Sequence, residues 1–201
     1  MPKSDDQAST RDRILRAAVE EIAHKGLGGA RTRSIAERAG VNNALVHYHF
    51  KTMDDLVVEA AATVFTGLAD MASGSLAASS VIEGLEEMND LVATIDPDEP
   101  GWQVLLEAMV HTRRRPRLGA FVLGWLDEYR EALRERLEGA ITDGELPESI
   151  DPEGLSLALM ALYDGLGLYG YVNPDLDIRR AGRSINDLLR ALADPGGGAG
   201  D

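Results

Sequence analysis

Apolar residues recur at every third or fourth position through most of this chain, the period of an α-helix with one face turned to a core. Over residues 52–71, Leu56, Ala60, Val64 and Leu68 stand at four-residue intervals. Pro116 opens a longer stripe of Leu118, Val122, Trp125 or Leu126, Tyr129, Leu133, Leu137 and Ile141, which Gly144 and Pro147 bring to an end. Between these lie a Gly/Ser/Ala-rich connection at 72–80, a helix near 81–95, a break at Pro97 and Pro100, and a short helix over 102–111. Residues 155–172 are almost continuously apolar, and Asn173 and Pro174 part them from a helix at 178–193 carrying Ile185, Leu188, Leu189 and Leu192 on one face. No stretch alternates with the period of a β-strand. The pattern predicts an all-α chain of about nine helices.

The first third adds a different rhythm. A helix reading RDRILRAAVEEIAHKG precedes residues 32–56, TRSIAERAGVNNALVHYHFKTMDDL. Within the latter, Thr32 is placed to cap a helix whose small apolar face is Ile35, Ala36 and Ala39. Gly40 can take the positive φ of a sharp turn. Asn42 or Asn43 then caps a second helix running to about His49, with Leu45 and Phe50 expected as its inward anchors. Two short helices across a tight turn make a helix-turn-helix, whose second helix enters the DNA major groove, or an ordinary helical hairpin with a polar face. Asn43, Ala44, His47 and Tyr48 are of types that suit DNA. Asn pairs with adenine, Ala meets a thymine methyl, and His and Tyr reach phosphate or base edges. Arg33 and Lys51 flank that face as phosphate partners.

The longer string T-x-x-I-A-E-R-A-G-V followed by H-Y-H-F-x-x-x-D-D-L, behind the first helix, resembles the DNA-binding domain of the tetracycline-repressor (TetR) family of transcription regulators. The resemblance covers about residues 10–60 and rests on Ile35, Ala36, Ala39, Gly40, Val41, His49, Phe50 and Leu56. It departs at Asn42, Ala44 and His47, where the family often has Ser, Gly and Tyr. At Met53 the family usually has a lysine, a phosphate contact that Lys51 would have to replace. The resemblance implies a DNA-binding domain at 10–51 whose contacts are Thr32, Arg33, Asn42, Asn43, Ala44, His47, Tyr48 and Lys51. It implies a helical effector-binding and dimerisation domain at 52–193. It further implies a homodimer built on helices 155–172 and 178–193, a near-palindromic double-stranded operator, a small-molecule effector and no cofactor. Residues 1–9 and 194–201 read as disordered ends.

Net charge is −14, which by itself argues against nucleic acid as a partner. The charge is segregated, however. Residues 1–51 hold nine Lys/Arg against six Asp/Glu, or +3, and the remaining 150 hold 11 against 28, or −17. A basic head and an acidic body suit DNA at one end only. The absence of cysteine excludes disulfides and thiolate chemistry and suits a cytoplasmic protein.

Other chemistry is thin. Segment 155–172 has the length of a short membrane span but carries Asp164 near its centre, so a helix buried in protein is the better reading. Gly165, Gly167 and Gly170 match a dinucleotide fingerprint by spacing, yet no strand precedes them. His47 and His49 diverge on a helix and make no metal pair. No phosphate loop or nucleophile elbow supports an enzyme. The run His111 to Arg117 reads as a solvated junction pairing with carboxylates, with an anionic-ligand clamp as the alternative. Trp102, Met109, Phe121, Trp125, Tyr129, Met160 and Tyr163, with Asp164, are the candidates for an effector pocket, each also readable as core. Asp164 would meet a cationic or hydroxylated effector or sit in the dimer interface. The competing function is an acidic helical interaction module with little DNA affinity.

Overall fold

The computed structural model describes residues 9–96 and 98–193, with the side chains of residues 192 and 193 excepted. Among these residues there are nine α-helices and no strand: α1 (Thr10–Gly29), α2 (Thr32–Ala39), α3 (Asn43–His49), α4 (Met53–Ala77), α5 (Val81–Thr94), α6 (Pro100–His111), α7 (Pro116–Thr142), α8 (Pro152–Val172) and α9 (Ile178–Ala193). The all-α expectation holds. Of the ends read as disordered, only Ser9 is described, and it caps α1; Pro97 and the Leu192 side chain also lie outside the description.

The chain divides into two compact units, residues 1–67 with 98–125, and residues 68–97 with 126–201. The unit containing the head is therefore not confined to 10–51. It takes in the first part of α4, all of α6 and the opening of α7.

In the first unit, Ile14, Ala18 and Ile22 repeat every four residues along α1 and are fully buried, joined by Ile35, Val46, Leu56, Phe65, Val104 and Leu118. Burying each large side chain contributes about 1.5–3 kcal/mol. Helix α1 packs on α2 and α6, and α2 on α3. Capping fixes where the helices begin. Ser9 and Asp12 form a reciprocal capping box on α1, and Thr52 with Asp55 does the same on α4. Helix α1 breaks at Gly26, where φ is +68°. The break leaves the Leu27 N–H without a helical acceptor, and Glu107 of α6 accepts it at 2.7 Å. Arg115 donates to the Leu27 carbonyl at 3.1 Å and to Asp54 at 2.8 Å, and Arg117 pairs with Asp55. Part of the basic junction thus pairs with carboxylates as expected, and Thr52 and Arg117 hold the Asp55 carboxyl below its ordinary value.

In the second unit α5 packs on α8 and α9. Its core gathers Val81, Leu85 and Met88 of α5, Leu133 and Leu137 of α7, Leu159 and Tyr163 of α8, and Leu189 of α9. Helix α8 runs unbroken through Gly165, Gly167 and Gly170, which is incompatible with a nucleotide loop. Within one chain it is only partly buried. Leu159, Tyr163 and Leu166 face the core, whereas Leu157, Leu168, Tyr169 and Val172 are exposed. By length and composition, α4 and α8 are the two helices among the described residues apolar enough to cross a membrane, and both place some residues in a core.

Candidate nucleic-acid interface

Helix α2 ends on Gly40 in the left-handed region, φ +65° and ψ +35°, a conformation that costs other L-residues energy. Its N–H reaches back to Ala36 and Glu37, and the Val41 N–H donates to the Ala36 carbonyl at 3.0 Å. The chain thereby reverses within two residues. Asn42 then caps α3, its Oδ1 accepting the Leu45 N–H at 2.9 Å. Thr32, by contrast, caps nothing. Arg31 occupies the cap position of α2 without a side-chain bond, and its carbonyl accepts Ile35 N–H at 3.0 Å and the Ser34 hydroxyl at 2.9 Å. Thr32 is half-buried as the first helical residue.

The anchors of α3 also need correction. Phe50 is buried as expected, but Leu45 is 37% exposed and Val46 is fully buried in its place. A signal for Val46 was available, since it stands four residues before Phe50 and so shares its face.

The outward face of α3 carries Asn43, Ala44, His47 and Tyr48, all exposed, with Tyr48 at 81%. Asn42, Arg33 and Lys51 are exposed as well. Seven of the eight expected contact residues are thus exposed, and Thr32 is half-buried. Arg33 pairs with Glu37 at 3.2 Å, a solvated contact of little strength that a phosphate can replace.

Behind this face the head is braced by charge. Glu21 of α1 is buried and receives Lys25 at 2.6 Å and Arg38 of α2 at 3.3 Å. Lys25, with Ser34 and Arg38, holds its carboxyl down at about 2 despite the desolvation that burial imposes. Arg11 stacks 5.2 Å over the Phe50 ring and pairs with Glu59.

The eight expected effector residues do not form one group within either unit. In the first, Trp102 is buried with its indole N–H unpartnered, Met109 is half-buried, and Phe121 and Trp125 meet Phe65 edge-on at 5.5 and 4.9 Å. In the second, Tyr129 and Tyr163 line a narrow cleft of about 20 Å³, with Leu76, Leu85, Met88, Leu133 and Arg136. Sequence reasoning missed those five. Burial pushes the Tyr129 hydroxyl up to about 12, with the Asp164 charge adding to the effect. Met160 is half-buried, and Asp164 is exposed on α8, its carboxyl raised by desolvation among apolar neighbours. No cluster of three or more His, Asp or Glu that could hold a metal occurs among the described residues.

Comparison with known proteins agrees with this architecture. The family model described as "Bacterial regulatory proteins, tetR family" matches residues 14–60, and "BetI-type transcriptional repressor, C-terminal" matches residues 81–194. Similar solved structures include a TetR-family regulator from Rhodococcus sp. (22% identity, TM-score 0.77, covering 90% of this chain and 98% of that one). A transcriptional regulator from Saccharomonospora viridis solved with choline has 24% identity and TM-score 0.78, covering 91% and 96%. FadR from Bacillus subtilis, solved with stearoyl-CoA, has 20% identity and TM-score 0.68, covering 89% and 97%. No curated protein matches the sequence.

Proposed function

Because the chain belongs to the TetR family of bacterial transcription regulators, we propose that it acts in the cytoplasm as a homodimeric repressor of a near-palindromic operator, released by a small-molecule effector. The observation that carries this reading is the capped helix α3, with Asn43, Ala44, His47 and Tyr48 on one exposed face. An exposed polar face of this kind, held by Val46 and Phe50 beneath it, suits insertion into a major groove.

The dimer reading is supported by α8. Leu157, Ala161, Asp164, Leu168 and Tyr171 are all exposed and follow one another at intervals of four, three, four and three. That spacing is the seam of helices that pack lengthwise on each other. With Leu188 exposed on α9, it gives the second copy an apolar face to cover, in preference to lipid. A two-fold dimer would set its recognition helices about 34–36 Å apart, one groove turn.

On this reading effector control starts from the mostly apolar cleft at Tyr129 and Tyr163, which must widen to admit a small molecule. Relatives solved with choline and with stearoyl-CoA show that similar folds accept very different small molecules. To release DNA, the effector must bind the DNA-free state more tightly; equal affinity for both states would shift nothing.

The test is fluorescence anisotropy on DNA flanking the protein's own gene, at low and moderate salt. Tight, saturable binding to one palindromic segment in the presence of excess random DNA is the expected result. Absence of binding even at low salt would instead favour an acidic interaction module.

A further inference from the structure

We propose that the junction between α6 and α7 is an auxiliary DNA-binding surface, where Arg113 and Arg114 neutralise backbone phosphates flanking the stretch that α3 reads. The inference rests on the DNA-binding reading above and adds to it two residues outside the helix-turn-helix.

The junction is seated on the head. Arg115 spans two head elements, donating to the Leu27 carbonyl at 3.1 Å and to Asp54, the second residue of α4, at 2.8 Å. Arg117 pairs with Asp55. Exposed Lys51, in the connection from α3 to α4, precedes Asp54 by three residues. The junction therefore borders the chain leading into α2 and the chain leading out of α3, and all these residues share one compact unit.

Its turn is also fixed in advance. The His111 carbonyl accepts the Arg114 and Arg115 N–H groups at 3.0 and 3.1 Å, and the Thr112 hydroxyl donates to the Met109 carbonyl at 3.1 Å. Helix α7 closes on this turn at Gly119, where a Cβ would lie 2.6 Å from the Thr112 carbonyl oxygen. A surface already ordered loses little further freedom on binding.

Charge decides the partner. Asp54 and Asp55, in the first turn of α4, would repel a phosphate strand, but Arg115 and Arg117 neutralise them. Glu107 is taken up by the Leu27 N–H at 2.7 Å. Arg113 and Arg114 are exposed and have no ion pair or side-chain hydrogen bond among the described residues, in a chain that carries 34 acidic side chains. Guanidinium and phosphate match in charge and in fork geometry. A duplex carries one negative charge per about 1.7 Å of axis, so a strand meeting Lys51 offers further phosphates alongside it.

The experiment is a salt series of anisotropy titrations of the full-length protein, on the operator duplex and on a random duplex of equal length. The double variant Arg113→Gln/Arg114→Gln should leave the Tm unchanged, because neither side chain is buried or bonded. It should make the log–log salt slope shallower by about 0.9 for each phosphate lost, or about 1.8 per bound subunit. Both duplexes should weaken by a similar factor, as phosphate contacts carry no sequence preference. Arg113→Lys/Arg114→Lys should keep the original slope. Arg134→Gln, removing one positive charge from α7 in the other unit, controls for net charge and should also keep it. The inference is overturned if the Gln variant binds with undiminished slope and affinity, if its loss is confined to the operator, or if Arg134→Gln flattens the slope as much per charge. A wild-type protein that binds neither duplex would overturn the DNA-binding reading and this inference together; an unchanged Gln variant overturns this inference alone.

Discussion

Leu45 and Val46 are neighbours of similar hydrophobicity, and one peptide unit decides which of them holds the recognition helix. A step of one residue turns the side chain by about 100° around the axis, carrying Val46 into the core and Leu45 toward water. Val46→Ala should therefore cost about 2 kcal/mol of stability in a thermal or urea melt. Leu45→Ala should cost clearly less. On the opposite face, Asn43→Ala and Tyr48→Ala remove no core packing. They should leave the Tm unchanged and weaken operator binding by about 1–3 kcal/mol each in an anisotropy titration. Glu21 is the residue whose loss would be felt through the brace. Glu21→Gln leaves Arg38 and Lys25 without their shared carboxylate and should cost about 1–3 kcal/mol. Because the folded carboxyl is held down at about 2, from an ordinary 4.5, its stabilisation is complete above the ordinary value. It is lost as the pH falls from there toward 2, and the variant's melting temperature should lack that portion of the acid dependence.

Among the elements, α8 carries the most testable contradiction, a carboxylate in the middle of an exposed apolar stripe. Desolvation already raises the Asp164 carboxyl, and covering it with a second copy would raise it further. A raised acid favours its protonated form in the covered state, so dimer stability should be greatest at low pH and decline as the pH rises through the shifted value. Asp164→Asn should remove that dependence and tighten the dimer at neutral pH, as read by sedimentation equilibrium. The helices themselves were largely legible in the chain, because punctuation marks them. Pro116 and Gly144 bracket α7, and Asn173 with Pro174 separates α8 from α9. The overrun of α4 to Ala77 was not legible. Residues 72–77 look like linker by composition, yet buried Ala72 and cleft-lining Leu76 give them a tertiary reason to stay helical. The lining of the Tyr129 cleft was illegible for a related reason. Periodicity reports which face of a helix is apolar, but not which neighbouring helix meets it, so Leu85, Met88 and Arg136 were invisible beside Tyr129. The head was legible because its geometry is local, with cap, turn and anchor lying within twenty residues or so of one another.

For the whole molecule, the asymmetry between a +3 head and a −17 remainder governs how DNA binding responds to solution conditions. Each phosphate neutralised releases counterions, so log affinity should fall linearly with log salt. Lys51→Gln should make that slope shallower by about 0.9 for each operator phosphate that is no longer neutralised. A dependence unchanged by removing Lys51 would mean that another cation serves the phosphate left open by Met53. The break in α1 bears on how such a regulator can be recombined. Leu27 and its acceptor Glu107 are eighty residues apart in sequence, on opposite sides of a cut made just after the recognition helix. A chimera that joins this DNA-binding head to another relative's body inherits the broken helix without the carboxylate that answers it, and one that takes the body alone inherits a carboxylate with nothing to receive. Modular exchange in this fold therefore succeeds or fails at a seam well away from the residues that read DNA.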